Sequence, residues 1–401
     1  MKHERDSAGR GAIGQVDSLP IFNQRGVEMR FEFKRNQLVA ALAAAILLPA
    51  VNANAGGTIA FGEDKSVSIG LGMRGSFSSV ENGAPNGTSN SQNFSLDSAR
   101  IYLSGSLNKH IKGMLNTEKD IAGQGFQAID ANVQIAIAPE LTIWAGRFLS
   151  PSDRANMAGP YYSLGGGYWS GIASRYGFNG GYIGRDDGVA VVGSLMGGKL
   201  AYSFGAFEGT TAFKIAPVTV GTRTGSDGLM YAGRLQVDFW DAEPGYYGTG
   251  NYLGGKDILA IGIAGRAQKN GAYSTTATGD YQSYSIDFLM EKKGVGPGAL
   301  SVEAAAYDYD TSDVFLSEQG RAYSAGLGYI FDQKVGWGQF QPFVRYQKFS
   351  PDTNIDTKKY DLGVNYIIDG YNAQVSGVFS NTEVTGKSDV SAITVAMQFQ
   401  F

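Results

Sequence analysis

The 401-residue sequence has no cysteine and only two histidines, His3 and His110. Without thiols there can be no disulfide, no thiolate zinc site and no covalent haem attachment. With so little imidazole, a hydrolase that activates serine or water through histidine has almost nothing to work with. Once a leader is set aside only His110 remains, in Asn108-Lys109-His110, which reads as a short turn and not as the setting of a general base. Basic charge is also lacking. The net charge of −4 argues against a general nucleic-acid binder. Long apolar runs are absent except for one, Leu38 to Val51.

That run follows Arg30, Lys34 and Arg35 and precedes Ala53-Asn54-Ala55. Basic start, apolar core and A-x-A site together form a secretory signal over 29–55, cleaved between Ala55 and Gly56. The run is shorter than the roughly 20 residues a transmembrane helix needs. Residues 1–28 carry no apolar pattern and read as an over-extended or unstructured start, leaving 56–401 as the working domain. Cleavage removes 7 of the 33 basic and 5 of the 37 acidic residues, so the remainder stands at −6. A secreted chain without an apolar helix can still enter a membrane, but only as a closed barrel.

What is abundant fits that option. There are 57 glycines, 22 phenylalanines and 22 tyrosines, a mixture suited to strands and tight turns. Val67, Ile69, Leu71 and Met73 alternate with small or polar residues, as do Tyr284, Ile286, Phe288 and Met290, and Tyr360, Leu362, Val364 and Tyr366. The alternation ends in "SAITVAMQFQF", with Ile393, Val395, Met397, Phe399 and Phe401 at every second position. Many apolar rows end in an aromatic, as a lipid-interface girdle requires. Sixteen such segments fall at about 65–79, 94–107, 111–119, 129–138, 141–149, 181–195, 199–208, 228–240, 257–268, 281–292, 299–309, 321–331, 339–349, 358–368, 371–380 and 389–401. The fold class is therefore all-β, a transmembrane antiparallel β-barrel of about 16 strands.

Connections alternate in length as well. Short ones, such as Ala138-Pro139-Glu140 and the type I′ signal Asp369-Gly370, take turns with long ones at 80–93, 119–128, 209–227 and 269–280. One departs: 241–256, "DAEPGYYGTGNYLGGK", is long where a short turn is due. The longest gap, 150–180, follows the fifth strand and is rich in glycine and aromatics. A long ordered loop of that composition suits the lumen of a wide barrel, where it constricts the pore with Asp153, Arg154 and Arg175 nearby. The alternative is an external loop packed on a neighbouring subunit.

Two local patterns carry less. Gly70-Leu71-Gly72-Met73-Arg74-Gly75 matches G-x-G-x-x-G, yet alternation runs straight through it and no helix follows, so a dinucleotide site is excluded. Asp308, Asp310 and Asp313 offer oxygen ligands, but lack the glycine and distal glutamate of a calcium loop. They read as a solvated external loop.

Several stretches resemble the phosphate-selective porin O and P family of outer-membrane channels. These are "AGRFLSPSDR" (145–154), "DDGVAVVGSLMGGKLAYSFGAFEG" (186–209), "YAGRLQVDF" (231–239), "FQPFVRYQKFSPD" (340–352), "KYDLGVNYIIDGYNAQVSGVFS" (359–380) and the closing "VAMQFQF". The resemblance implies a sixteen-stranded barrel in the bacterial outer membrane, commonly a homotrimer among lipid and lipopolysaccharide. It also implies passive passage of small hydrophilic solutes or anions, without a cofactor. The terminal Phe399 and Phe401 resemble the signal read by the barrel assembly machinery. Phosphate-specific members have an arginine ladder and a lysine cluster. The inward-parity positions here supply Arg74, Arg100, Lys112, Arg147, Arg234, Arg266 and Arg345, against Glu118, Asp238, Asp287, Glu291, Glu303 and Asp361. Such a mixed lining does not by itself select anions. A rival expectation is a sheath around an electron-transfer cytochrome, which would need an unfilled lumen. Protein recovered from the cell envelope is expected to begin at Gly56, and mass spectrometry of its N-terminal peptide checks this; an intact Met29 would refute the leader.

Overall fold

A computed structural model describes residues 57–61, 64–119, 125–165, 171–175, 184–209, 212–215, 218–222, 228–243 and 245–401. The expected leader, with Ala55 and Gly56 at its expected cleavage site, lies outside these residues. Sixteen strands run in chain order: β1 (Ser66–Val80), β2 (Ser91–Ser106), β3 (Ile111–Lys119), β4 (Phe126–Ala138), β5 (Leu141–Leu149), β6 (Arg185–Leu195), β7 (Leu200–Phe207) and β8 (Met230–Asp238) come first. They continue as β9 (Ile258–Tyr273), β10 (Thr278–Lys293), β11 (Gly298–Asp310), β12 (Gly320–Phe331), β13 (Gln339–Pro351), β14 (Thr357–Asp369), β15 (Ala373–Val384) and β16 (Val390–Gln400). Each pairs antiparallel with the next, and β16 pairs with β1 from Ala392↔Val80 to Gln400↔Gly72. The sheet is a closed barrel, which removes its edges. Two additions stand outside the ring: a strand Gly57–Ala60 on the start of β1, and a hairpin of Ala212–Ile215 with Val218–Thr222.

The unfrayed C-terminus has a structural cause. Phe401 exchanges both backbone hydrogen bonds with Leu71, at 2.9 Å each. Ile393 and Met397 are exposed on the outer wall, while Ala396, Gln398 and Gln400 are buried inward. The same division holds around the ring: Ile69, Val133, Phe204, Ile263, Ile286, Leu327, Leu362 and Phe379 are exposed. A continuous apolar exterior of this extent suits lipid and not water. The G-x-G-x-x-G run lies wholly within β1. A Cβ on Gly72 would come within 2.9 Å of the Tyr102 hydroxyl and 3.0 Å of the Tyr161 ring, so the missing side chain makes room for inward tyrosines.

Two turn expectations fail. The 269–280 stretch is mostly ladder, because β9 and β10 stay paired up to Tyr273↔Thr278 across a bulge, leaving Ser274–Ala277 as the turn. At Asp369-Gly370 only Gly370 has positive φ (+50°), and Asn372 N–H bonds the Asp369 carbonyl. A type I′ turn would need positive φ at Tyr371 as well. Placing arginine at Leu362, which is 60% exposed between Val344 and Phe379, is expected to destabilise the barrel in lipid by about 2–4 kcal/mol at mid-depth. Equilibrium unfolding in vesicles measures it, and an unchanged midpoint would mean that this face is not against lipid.

Candidate functional site

After β5 the chain turns into the lumen. Asp153 caps a one-turn helix, α1 (Arg154–Ala158), by accepting from the Asn156 N–H, and Gly159 ends it at φ +64°. Little of this segment is regular, so its carbonyls need donors from elsewhere. The barrel wall supplies them. Arg266 of β9 donates to the Ser150 and Pro151 carbonyls, Arg234 of β8 to Ser152, Arg74 of β1 to Pro160 and Asn365 of β14 to Leu164. Gln398 of β16 bonds the Tyr161 carbonyl at 3.0 Å. Further along, Ile172 and Ala173 pack against Tyr307, Tyr309 and Phe349. The segment is thus clasped from strands all round the ring.

A second segment enters from the opposite end of the barrel. The 239–257 connection joins β8 to β9 on the short-turn side, the one place where the sequence breaks its alternation of connection lengths. Its Tyr246 and Tyr247 pack on the inward cluster of Trp144, Phe148, Ala190 and Phe207. Tyr246 donates to the Leu149 carbonyl and Tyr247 to Asp130. The N–H groups of Tyr252 and Gly254 are both accepted by the Glu291 carboxylate, at 2.7 and 2.6 Å.

The two segments meet at Arg154. Its guanidinium binds both carboxylate oxygens of Glu243, at 2.8 and 2.6 Å, and its backbone N–H reaches Asp287. Arg234 grips the same Asp287 with two further bonds. Gln236 and Asp238 complete the cluster by binding Glu243. Burial would by itself lower the Arg154 pKa, but the Glu243 and Asp287 carboxylates more than offset it and raise it above the usual arginine value. Both members of the Arg154–Glu243 pair are about 5–6% exposed, where loss of one partner leaves an uncompensated charge.

Most of the inward charges expected from parity do face inward, but they are not an open lining. Arg74, Arg100, Arg234, Arg266, Arg345, Glu118, Asp238, Asp287, Glu291, Glu303 and Asp361 are all buried. Arg100 pairs with Glu118 and Arg345 with Asp361. Lys112 shares the inward row of Met114 and Asn116 but is exposed near the short-turn end. Arg147 corrects the expectation: it lies in the outward row with Val189 and Val191 and forms an exposed ion pair with Asp187. Trp144 and Phe148 take the inward positions of that strand, which explains why its polarity pattern misled.

In the clasped segment Asp153 accepts from Ser174 and Tyr307, and Arg175 pairs with Glu318 while lying 4.2 Å over the Phe349 ring. Asp308 pairs with Arg321 and Asp310 caps Ser312; no metal-binding group of acids occurs among the described residues. His110 is exposed, its Nδ1 3.2 Å from the Ala136 carbonyl. The sequence reading missed Glu243, Asp130, Arg185 and Asn365, and it read Gln398 as inward without its partner Tyr161. For Glu243 the signal was available in the anomalous length of 241–256.

Between the two segments and the wall of β2–β4 lies a cavity of about 640 Å³. Tyr102, Tyr161, Tyr162, Tyr247, Tyr252 and Tyr371 line it, with Arg100, Arg185, Lys256 and Asp130.

No protein-family model matches the chain, and no curated protein matches it. Solved structures do, at the level of fold. An anion-selective porin from Comamonas acidovorans aligns over 84% of this chain and 100% of its own, at 15% identity and a TM-score of 0.55. OprB from Pseudomonas putida aligns over 84% and 94%, at 10% identity and a TM-score of 0.59. OmpT of Vibrio cholerae, an outer membrane protein described in a trimer form, aligns over 84% and 100%, at 12% identity and a TM-score of 0.53. The chain therefore has the porin fold; the narrower likeness to the O and P family has no support from these matches. Arg154→Ala is expected to destabilise the folded barrel by about 3–5 kcal/mol, as for other broken buried pairs. Arg321→Ala, which breaks the exposed pair with Asp308, is expected to shift stability by no more than about 1 kcal/mol. Denaturant midpoints of the two variants make the comparison.

Proposed function

We propose that this chain is an outer-membrane porin that passes small hydrophilic solutes passively between its two lumenal segments. The observation that carries the reading is a closed sixteen-stranded barrel with an apolar exterior, crossed inside by polar segments clasped to its wall. A barrel that only anchored another protein would have no use for such a lumen. The cytochrome-sheath alternative loses its main requirement, because residues 150–165, Glu243 and 245–254 occupy the space a partner would need.

In this account residues 150–165 and 171–175 of the 150–180 connection act as the constriction, and the buried wall charges hold them in position instead of forming a ladder for solutes. Selectivity then depends on the charges that still face the path. Around the chamber Arg100 and Arg185 are paired with Glu118 and Asp130, which leaves Lys256 in surplus and favours a modest anion preference. No lysine cluster supports phosphate specificity. The homotrimer, the contact with lipopolysaccharide, the leader cleaved after Ala55 and the reading of Phe399 and Phe401 by the assembly machinery belong to the same proposal. They rest on the sequence and on the company of trimeric and outer-membrane folds.

Purified protein in a planar bilayer is expected to give stepwise conductance, with a reversal potential in a salt gradient displaced toward the anion side. Absence of steps would end the porin reading. Arg154→Ala and Arg175→Ala are expected to change conductance or selectivity more than Glu81→Gln in the 81–90 external connection. Equal effects would remove the constriction role.

A further inference from the structure

The 640 Å³ chamber has a chemical character of its own. Its volume is that of a small-molecule pocket, and it is shaped by the wall, by the two segments and by the short turn at Gly370 and Tyr371. Rings dominate it. Three of the tyrosine hydroxyls are already committed, Tyr161 to Ser98, Tyr247 to Asp130 and Tyr371 to the Asn251 carbonyl. Tyr162 and Tyr371 stand edge to face with centroids 5.1 Å apart. What these side chains offer a visitor is therefore ring surface more than hydrogen bonds. A sugar would also need polar partners, and the Asn116 side-chain NH2 is spent on Asp130.

The polar groups of the chamber are unbalanced in sign. Arg100 and Arg185 are matched by Glu118 and Asp130. Lys256 donates to the Ala242 carbonyl and lies 5.3 Å over the Tyr252 ring, with no carboxylate in salt-bridge range among the described residues. A cation held by a carbonyl and a ring keeps most of its charge for an incoming anion.

Resting on the channel reading above, we propose that the chamber is a binding station for small aromatic monocarboxylates, whose ring stacks among the tyrosines while the carboxylate meets Lys256. The chamber thereby makes the channel selective by ring and charge together, retaining such solutes on their way through.

Calorimetric titration of the detergent-solubilised barrel with sodium benzoate tests this, with acetate, benzylammonium and glucose as comparators. Benzoate is expected to bind at least about tenfold more tightly than each of the three. Tyr162→Ala is expected to weaken benzoate binding about tenfold, whereas Tyr162→Phe keeps it within about twofold. Lys256→Gln is expected to weaken benzoate about fivefold and leave neutral benzyl alcohol unchanged. Equal binding of benzoate and acetate, or stronger binding of glucose, would overturn the proposal. In the bilayer, benzoate is expected to interrupt the current at concentrations that follow the calorimetric affinity. Conductance without benzoate binding refutes the chamber and spares the channel; benzoate binding without conductance refutes the channel and spares the chamber.

Discussion

A buried arginine holds this lumen together. Arg154 comes from the long connection after β5, Glu243 from the connection on the opposite end, and Asp287 from the wall, and the three meet in one hydrogen-bonded cluster. Charges removed from water are tolerated only when their partners and geometry are complete. Arg234, Gln236 and Asp238 supply that completeness. Position is therefore determined for both segments at once: neither can leave without stranding a charge of the other.

The rest of the interior follows the same logic. Irregular backbone inside a barrel presents carbonyls and N–H groups that need partners. Arginines are efficient donors to several carbonyls at once, and Arg74, Arg234 and Arg266 are spent in that way. Glu291 does the reverse, accepting two N–H groups of the 239–257 segment. Inward charge in this barrel is thus chiefly scaffolding. In the proposed channel, the groups left to meet a solute lie around the tyrosine-rich chamber, where rings and a surplus of positive charge coincide.

The strands were legible because a period of two leaves little choice once one face must be apolar. Ile393 and Met397 could be assigned outward and Gln398 inward by counting alone, and the structure agrees. Counting failed at Arg147, where large inward aromatics at Trp144 and Phe148 replaced the polar residues that parity expects. It also could not foresee partners distant in sequence. Gln398 and Tyr161 are far apart along the chain, and no local rule brings them together. The 241–256 stretch lies between these cases. Its length was visibly wrong for its place in the alternation, but only the folded barrel explains why, through Glu243, Tyr246, Tyr247 and Asn251.

Hydrogen exchange of the solubilised barrel tests most directly the claim that both segments are fixed inside it. The amides of Met157, Gly250, Tyr252 and Gly254 bond to Asp153, Tyr162 and Glu291, and the account predicts protection comparable to that of the strand amides in β9 and β10. Exchange at these four positions as fast as in the external turn at Gly83–Ser89 would contradict it.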